Sequence, residues 1–134
     1  MQRYLLDTNI LIYYFNGDME AVVKNKISTL IRESFQISVI SKMEFLGFAF
    51  NFQERQRAMQ FVECATIRTL SDEVVQRVID IRQENHIKLP DTIIAATAMQ
   101  HSAILVTRNI KDFKTLELEI YNPFDNDQGR FLKI

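Results

Sequence analysis

Four acidic residues stand beside apolar segments rather than on charged, solvated stretches of the chain. They are Asp7, Glu44, Asp91 and Asp112. Like charges gathered in one place repel each other and raise their pKa values, and a divalent cation removes that repulsion. Sites built from carboxylates alone suit hard cations such as Mg²⁺ or Mn²⁺. Two such ions about 4 Å apart could activate a water and stabilise the leaving oxygen of a phosphodiester.

Each acid also has an ordinary structural explanation. Asp7 could cap the helix that follows it, and Ser41-Lys42-Met43-Glu44 matches a helix capping box. Asp91 follows a proline and suits the first turn of a helix, where negative charge is favoured. Asp112 could close a turn with Asn109. Taken singly, none of the four requires a function.

Short apolar segments alternate with helical patterns along the whole chain. We predict strands at residues 4–6, 36–40, 65–67 and 103–106, with a possible fifth at 118–121. We predict helices at residues 10–15, 19–33, 41–50, 53–63, 71–84 and 90–100. The strands do not alternate apolar and polar residues, as expected when both faces of a sheet are buried. The fold class is therefore α/β, with three layers around a short parallel sheet of four to five strands.

This layout places the four acids together. In a right-handed parallel arrangement, the carboxyl ends of the strands and the starts of the following helices share one edge of the sheet. Asp7 and Asp112 follow the first and fourth strands, while Glu44 and Asp91 lie near helix starts. Open α/β sheets carry their sites at that edge. The two histidines of the chain, His86 and His101, are not beside the motifs that contain the four acids.

The length, net charge and cysteine content of the chain exclude several classes of protein. The chain has 134 residues, which argues for one domain at residues 1–123 and a C-terminal tail at 124–134. Its net charge is −1, so binding to nucleic acid through bulk positive charge is excluded. The single cysteine, Cys64, excludes a disulfide framework and a cysteine zinc site, and we expect it to be a small buried residue. With no leader or membrane-spanning segment, we expect a soluble, cytoplasmic protein.

Four segments in order resemble the PIN-domain ribonucleases, and among them the VapC-type toxins of bacterial and archaeal toxin–antitoxin pairs. The segments are LLDTNILI at residues 5–12, SVISKMEF at 38–45, LPDTIIAATA at 89–98 and TRNIKDF at 107–113. The resemblance extends from residue 4 to about residue 123. Many members carry Asp where this chain has Asn109.

The resemblance implies a PIN-like fold and metal-assisted hydrolysis of RNA by one or two Mg²⁺ or Mn²⁺ ions. The implied catalytic and metal residues are Asp7, Glu44, Asp91 and Asp112. Residues implied to orient these ligands through hydrogen bonds are Thr8, Asn9, Thr107 and Asn109. Four basic residues close in sequence to the acids are candidates for contact with RNA phosphates, namely Arg108, Lys42, Lys88 and Lys111.

The phenylalanine-rich run at residues 45–52 would be apolar on nearly every face of a helix, so it must bury more than one side. It could join the core and a homodimer interface, or form a groove for an amphipathic antitoxin helix, as the resemblance implies. Phe15, Ile27 and Ile31 could share that surface. An antitoxin and a second copy of the chain are therefore the expected protein partners, and no membrane is expected.

One alternative from another class stays open at this point. Asn109 favours a PIN-like module that binds RNA or a partner with weak or lost catalysis, whereas the four retained acids oppose it. A receiver-like regulatory domain would need adjacent acids near the first strand, and a haloacid-type phosphatase would need Asp at position 9. The sequence Asp7-Thr8-Asn9 supplies neither.

Overall fold

The computed structural model describes residues 2–125 together with the backbone of residues 130–131. Its strands are β1 (Tyr4–Leu6), β2 (Gln36–Ser38), β3 (Thr66–Arg68), β4 (Ile104–Val106), β5 (Ile120–Tyr121) and β6 (Arg130–Phe131). Its helices are α1 (Thr8–Asn16), α2 (Ala21–Glu33), α3 (Val39–Leu46), α4 (Phe52–Glu63), α5 (Asp72–Glu84) and α6 (Leu89–Gln100). A short 3-10 turn, Ile110–Asp112, follows β4.

The strands form one sheet in the order β3-β2-β1-β4-β5-β6. The first five in this order run parallel, and β6 pairs antiparallel with β5. At the centre, Leu5 pairs with Gln36 on one side and with Leu105 on the other. The prediction of a three-layer α/β fold with a short parallel sheet is confirmed, with the antiparallel β6 added at one edge.

Helices cover both faces of the sheet, because neighbouring residues of each short strand bury toward opposite sides. Leu5 packs with α5 and α6 in one apolar cluster, whereas Leu6 packs with α1, α2 and α4 in the other. On α6 every residue from Thr92 to Ala98 is buried, so this helix lies inside the protein. That burial fixes the position of its first turn.

The start of α3 differs from the sequence prediction. Strand β2 ends at Ser38, and the backbone N–H of Ile40 donates to Ser38 Oγ at 3.1 Å. Ser38 therefore caps the helix, and the predicted capping box from Ser41 to Glu44 is wrong. Both serines suit a cap, but the buried Ser41 lies within the first turn of α3.

The composition of the phenylalanine-rich run predicts one continuous helix. The structure shows instead that the run is divided between two helices and the loop that joins them. Helix α3 ends at Leu46, and a Cβ on Gly47 would stand 2.8 Å from the carbonyl oxygen of Met43. Phe45 and Phe50 turn inward into an aromatic cluster, while Phe48 and Phe52 are exposed. The run therefore divides between the core and the surface.

Two further sequence expectations are wrong. Ile27 is 0% exposed, so it belongs to the core and cannot share an outer surface with the phenylalanine-rich run. Cys64 is exposed rather than buried, because it stands at the C-terminal end of α4, where its thiol lies 3.6 Å from the carbonyl of Gln60.

The predicted domain boundary between residues 123 and 124 stays a prediction, since most of the predicted tail lies outside the described residues. Within that tail, Arg130–Phe131 forms β6 and extends the sheet. In the described part of the chain, no helix combines the length and the apolar character needed to cross a membrane.

Candidate active site

Asp7 lies at the end of β1 and caps α1. Its Oδ1 accepts from the backbone N–H of Thr8 at 2.7 Å, and its Oδ2 accepts from the hydroxyl of Thr107 at 2.8 Å. The residue is 5% exposed. Burial raises the pKa of Asp7 from its ordinary 3.8 to about 6, against the two hydrogen bonds, which lower it; the charges of Asp91 and Glu44 raise it further. The capping explanation is thus correct, but it does not account for a buried carboxylate beside two others.

Glu44 is exposed on α3 and is held by the residue that follows Asp7. The hydroxyl of Thr8 donates to Glu44 Oε1 at 2.6 Å and lies 3.0 Å from Ser41 Oγ. Thr8 therefore joins the first two predicted motifs, since its backbone bonds to one acid and its side chain to the other. The sequence did not indicate that Ser41 lies at the site, because its spacing from Glu44 matches a helix cap.

Asp91 lies in the first turn of α6 and is half-buried. Burial raises the pKa of Asp91, and the charges of Asp112 and Glu44 raise it further, whereas the ammonium of Lys88 lowers it. The charge of Asp91 thus interacts with the other three acids, since it also raises the pKa of Asp7.

Three of the four acids line a single open cavity of about 340 Å³. Its lining residues are Asp7, Thr8, Asn9, Ile12, Glu44, Asp91 and Asn109. We call it the acidic cavity. It lies at the carboxyl edge of the parallel strands, as the sequence predicts, because Asp7 follows β1 and Asn109 follows β4.

Asp112 lies apart from the acidic cavity. It is exposed in the 3-10 turn, and its Oδ2 accepts from the side-chain amide of Asn109 at 2.6 Å. The turn expected between these two residues is therefore present. Asp112 lines a neighbouring cavity of about 460 Å³ together with Asp91, Lys88 and Lys111. We call this the basic-rimmed cavity, and Asp91 lines both.

A hydrogen-bond network around Thr107 connects β4 to the acidic cavity. Its buried hydroxyl donates to Asp7, accepts from the backbone N–H of Asn109 at 3.0 Å, and lies 3.4 Å from Asn9 Nδ2. The four polar residues expected to orient the acids all stand around them. Their contribution to ligand binding stays a prediction.

The basic candidates are dispersed. Lys88 and Lys111 line the basic-rimmed cavity, whereas Lys42 lines a separate, mainly apolar cavity with Leu46 and Val62. The guanidinium of Arg108 lies over two aromatic rings instead of lining the acidic cavity.

Of the histidines, neither lines the acidic cavity, as expected. His86 lines the basic-rimmed cavity, which the sequence analysis missed because it lies in a connection without a motif. His101 caps the far end of α6, and burial together with Arg68 and Arg3 lowers its pKa.

The donor set fits a hard divalent cation in chemical type. Among the residues that the structure describes, no group of three or more carboxyl, imidazole or thiol side chains is placed so that it could hold one ion. Mg²⁺ does not need such a set, because it keeps several waters and takes one or two carboxylates plus substrate phosphates. The raised pKa values of Asp7 and Asp91 also indicate carboxylates that a nearby cation would stabilise in their charged form.

Comparisons with known proteins agree with this geometry. Residues 4–117 match the family described as PIN domain. Ribonuclease VapC1 of Haemophilus influenzae (strain R2866) is 26% identical over 125 residues, covering 84% of this chain and 91% of that protein.

Solved structures give the same result. A toxin-antitoxin complex from Klebsiella pneumoniae contains a chain that is 34% identical, with a TM-score of 0.77 and coverage of 91% of this chain and 98% of that one. VapBC2 from Rickettsia felis, bound to a DNA fragment from its promoter, is 26% identical with a TM-score of 0.74, covering 90% of this chain and 100% of that one. The predicted resemblance is confirmed, and this chain belongs to the PIN domain family.

Proposed function

We propose that this chain is a divalent-metal-dependent endoribonuclease and the toxin component of a type II toxin–antitoxin pair. The observation that carries the proposal is the convergence of Asp7, Glu44 and Asp91 on one cavity at the carboxyl edge of the sheet. The similarity to Ribonuclease VapC1 supports RNA as the substrate class.

In this proposal, Asp7, Glu44 and Asp91 would hold one or two Mg²⁺ or Mn²⁺ ions, directly or through water. A bound ion would supply a nucleophilic water at neutral pH and would offset the charge that develops on the phosphodiester. Hydrogen bonds from Thr107 and Thr8 hold the carboxylate of Asp7 in place. Thr8 also donates to Glu44, so one threonine positions two of the proposed ligands.

Asp112 acts from the rim rather than from the acidic cavity. Its carboxylate accepts a hydrogen bond from Asn109, which lines that cavity. Its charge also raises the pKa of Asp91. We assign Asp112 to orienting the attacking water or completing the site through water. Asn109 takes the position of a neutral oxygen ligand or of a group that positions a water.

The basic-rimmed cavity provides a place for the phosphates that flank the scissile bond. Lys88 and Lys111 bring two positive charges into a lining that also holds the carboxylates of Glu84, Asp91 and Asp112, and they offset in part the repulsion of a polyanion by these acids. Such contacts position the strand without reading its sequence. A phosphate role for Lys42, which lines a different cavity, has no support from this geometry.

Four exposed apolar side chains on α3, on α4 and in the loop between them are the proposed contact residues for other chains. They are Met43, Phe48, Phe52 and Met59, with Phe52 78% exposed. Proteins similar to this chain were solved as toxin–antitoxin complexes, which supports an antitoxin as one partner. We propose a homodimer as well. The exposed lone thiol of Cys64 suits the reducing cytoplasm.

The test is cleavage of a mixed single-stranded RNA pool by the purified chain in Mg²⁺ or Mn²⁺, compared with excess EDTA. We expect cleavage that requires the metal and that Asp91→Asn reduces at least about 100-fold, because this substitution removes a proposed ligand between both cavities.

Asp72→Asn is the matched control, because Asp72 is also an acid in the first turn of a helix but lies on the exposed surface of α5. It should cleave like the wild type. Cleavage by Asp91→Asn at the wild-type rate would show that the acidic cavity is not the active site. Metal-dependent RNA binding without cleavage by the wild type would instead favour a binding module.

A further inference from the structure

Arg108 directly follows Thr107 in the sequence, and its guanidinium lies over two aromatic rings. The guanidinium carbon of Arg108 lies 5.0 Å from the centroid of the Tyr13 ring and 4.5 Å from that of Phe124. The two rings are themselves in an edge-to-face contact at 5.5 Å. We call these three residues the Arg108 platform.

The distances show that the rings do not enclose the guanidinium. If the guanidinium lay between the rings, their centroids would be much farther apart than the observed 5.5 Å. The two rings therefore do not lie on opposite sides of it. Arg108 is exposed, so its side chain is accessible to a ligand from solvent. Cation–π contacts with two rings hold the guanidinium in place better than a freely rotating surface arginine would be held.

The platform is attached directly to the cavity wall. Arg108 follows Thr107, whose hydroxyl bonds to Asp7, and its own backbone N–H lies 3.4 Å from Asn9 Oδ1. Tyr13 lies one helical turn after Asn9 on α1. A strand with a phosphate at the acidic cavity would therefore pass the platform with an adjacent nucleotide.

We propose that the planar guanidinium of Arg108 stacks against a nucleobase of the single-stranded RNA, next to the phosphate at the acidic cavity. The inference rests on the proposed ribonuclease function and adds a base-binding subsite to it. Proteins bind unpaired RNA bases by stacking them on aromatic rings or guanidinium planes. Stacking requires the planar guanidinium, which lysine lacks. The guanidinium also binds phosphates through two hydrogen bonds, so the loss of a base and the loss of the guanidinium are compared below to separate the two contacts.

The test measures RNA binding separately from cleavage. Each variant is made in the Asp91→Asn background, and its affinity for a fluorescent single-stranded RNA is measured by anisotropy at fixed salt. Arg108→Lys keeps the charge but removes the plane, and we expect it to weaken binding about 5- to 100-fold, the range for losing one stacked base. Phe124→Leu should weaken binding by a smaller factor, because it loosens the guanidinium without removing it. Arg55→Lys, the same change at an exposed position of α4, is the control and should bind unchanged.

A second measurement identifies the base. RNAs with one abasic nucleotide at successive positions should show one position where the missing base weakens binding to the protein that retains Arg108. The same abasic RNA should cause no further loss with Arg108→Lys, because the stacking partner is already absent. Coincident loss at one position supports the proposal.

Three outcomes would overturn the subsite alone. Binding by Arg108→Lys equal to that of its parent would show that no base stacks on the guanidinium. Additive losses from Arg108→Lys and from the abasic position would show that the base contacts another residue. Unchanged RNA binding by Arg108→Lys, together with weakened binding to an antitoxin, would assign the platform to a protein partner. Absence of RNA binding by every form, the protein with Asp91 intact included, would refute the proposed function itself and this subsite with it.

Discussion

Replacing Asp7 by asparagine should stabilise the metal-free protein while destroying its site. The pKa of Asp7 is raised from 3.8 to about 6, so the folded state holds the proton more tightly than the unfolded chain does. Below pH 3.8, ionisation of Asp7 therefore does not lower the free energy of unfolding. The free-energy cost grows as the pH rises toward 6. Above pH 6 it reaches its full value of about 3 kcal/mol, at roughly 1.4 kcal/mol per pKa unit.

Asparagine removes this cost because its amide cannot ionise. Its oxygen can still accept from the backbone N–H of Thr8, but its NH₂ would face the hydroxyl of Thr107, which now donates to a carboxylate oxygen. We assign about 1 kcal/mol to that poorer pairing. The net expectation is a gain of about 2 kcal/mol at pH 8, equivalent to about 5–8 °C in melting temperature for a chain of this size.

The assay is urea unfolding of the wild type and Asp7→Asn in EDTA at pH 4, 6 and 8. The stability difference should be largest at pH 8 and should disappear or change sign at pH 4. Asp18→Asn, an exposed acid just beyond the other end of α1, should differ from wild type by less than about 0.5 kcal/mol at each pH. A variant that is less stable than wild type at pH 8, or a difference that does not change with pH, would refute the reasoning.

Three other substitutions test separate parts of the account. Glu44→Gln should keep the fold but weaken Mn²⁺ binding at least about 10-fold by calorimetry, and unchanged affinity would remove Glu44 from the ligands. Thr107→Val should cost about 1–3 kcal/mol at pH 8 because it removes the donor to Asp7, whereas Thr107→Ser keeps it; equal stability of the two variants would contradict this role. Phe45→Ala should cost about 3–5 kcal/mol in urea unfolding because Phe45 is fully buried, while Phe52→Ala at an exposed position should change stability little; similar costs would contradict the division of the phenylalanine-rich run.

The sequence predicts the parts of the site that local patterns encode. Asp7 directly follows a short apolar strand, and Asp91 starts a helix marked by a proline. Strand ends and helix starts have strong signals in the sequence, and the parallel topology brings them to one edge. The approximate location of both acids therefore follows without a structure.

Contacts between distant segments are not encoded in the same way. Two serines of one segment both suit a helix cap, and only packing determines that Ser38 is used and that Ser41 is buried near Thr8. The separation of Asp112 from the other acids depends on the 3-10 turn and on its bond to Asn109.

The contact of Arg108 with two aromatic rings cannot be predicted from the sequence either. Its ring partners, Tyr13 and Phe124, come from opposite ends of the chain. A basic residue beside an acidic motif predicts a phosphate contact from charge alone, and the contact of the guanidinium with the two rings appears only when the three segments are folded together.

The most direct test of the central claim is calorimetric titration of Mn²⁺ into the wild type, Asp91→Asn and Asp72→Asn. We expect that the wild type and Asp72→Asn bind the ion and that Asp91→Asn does not, because Asp91 lines both cavities. Equal binding by all three proteins, or no binding by the wild type with or without RNA, would contradict a metal site among these acids.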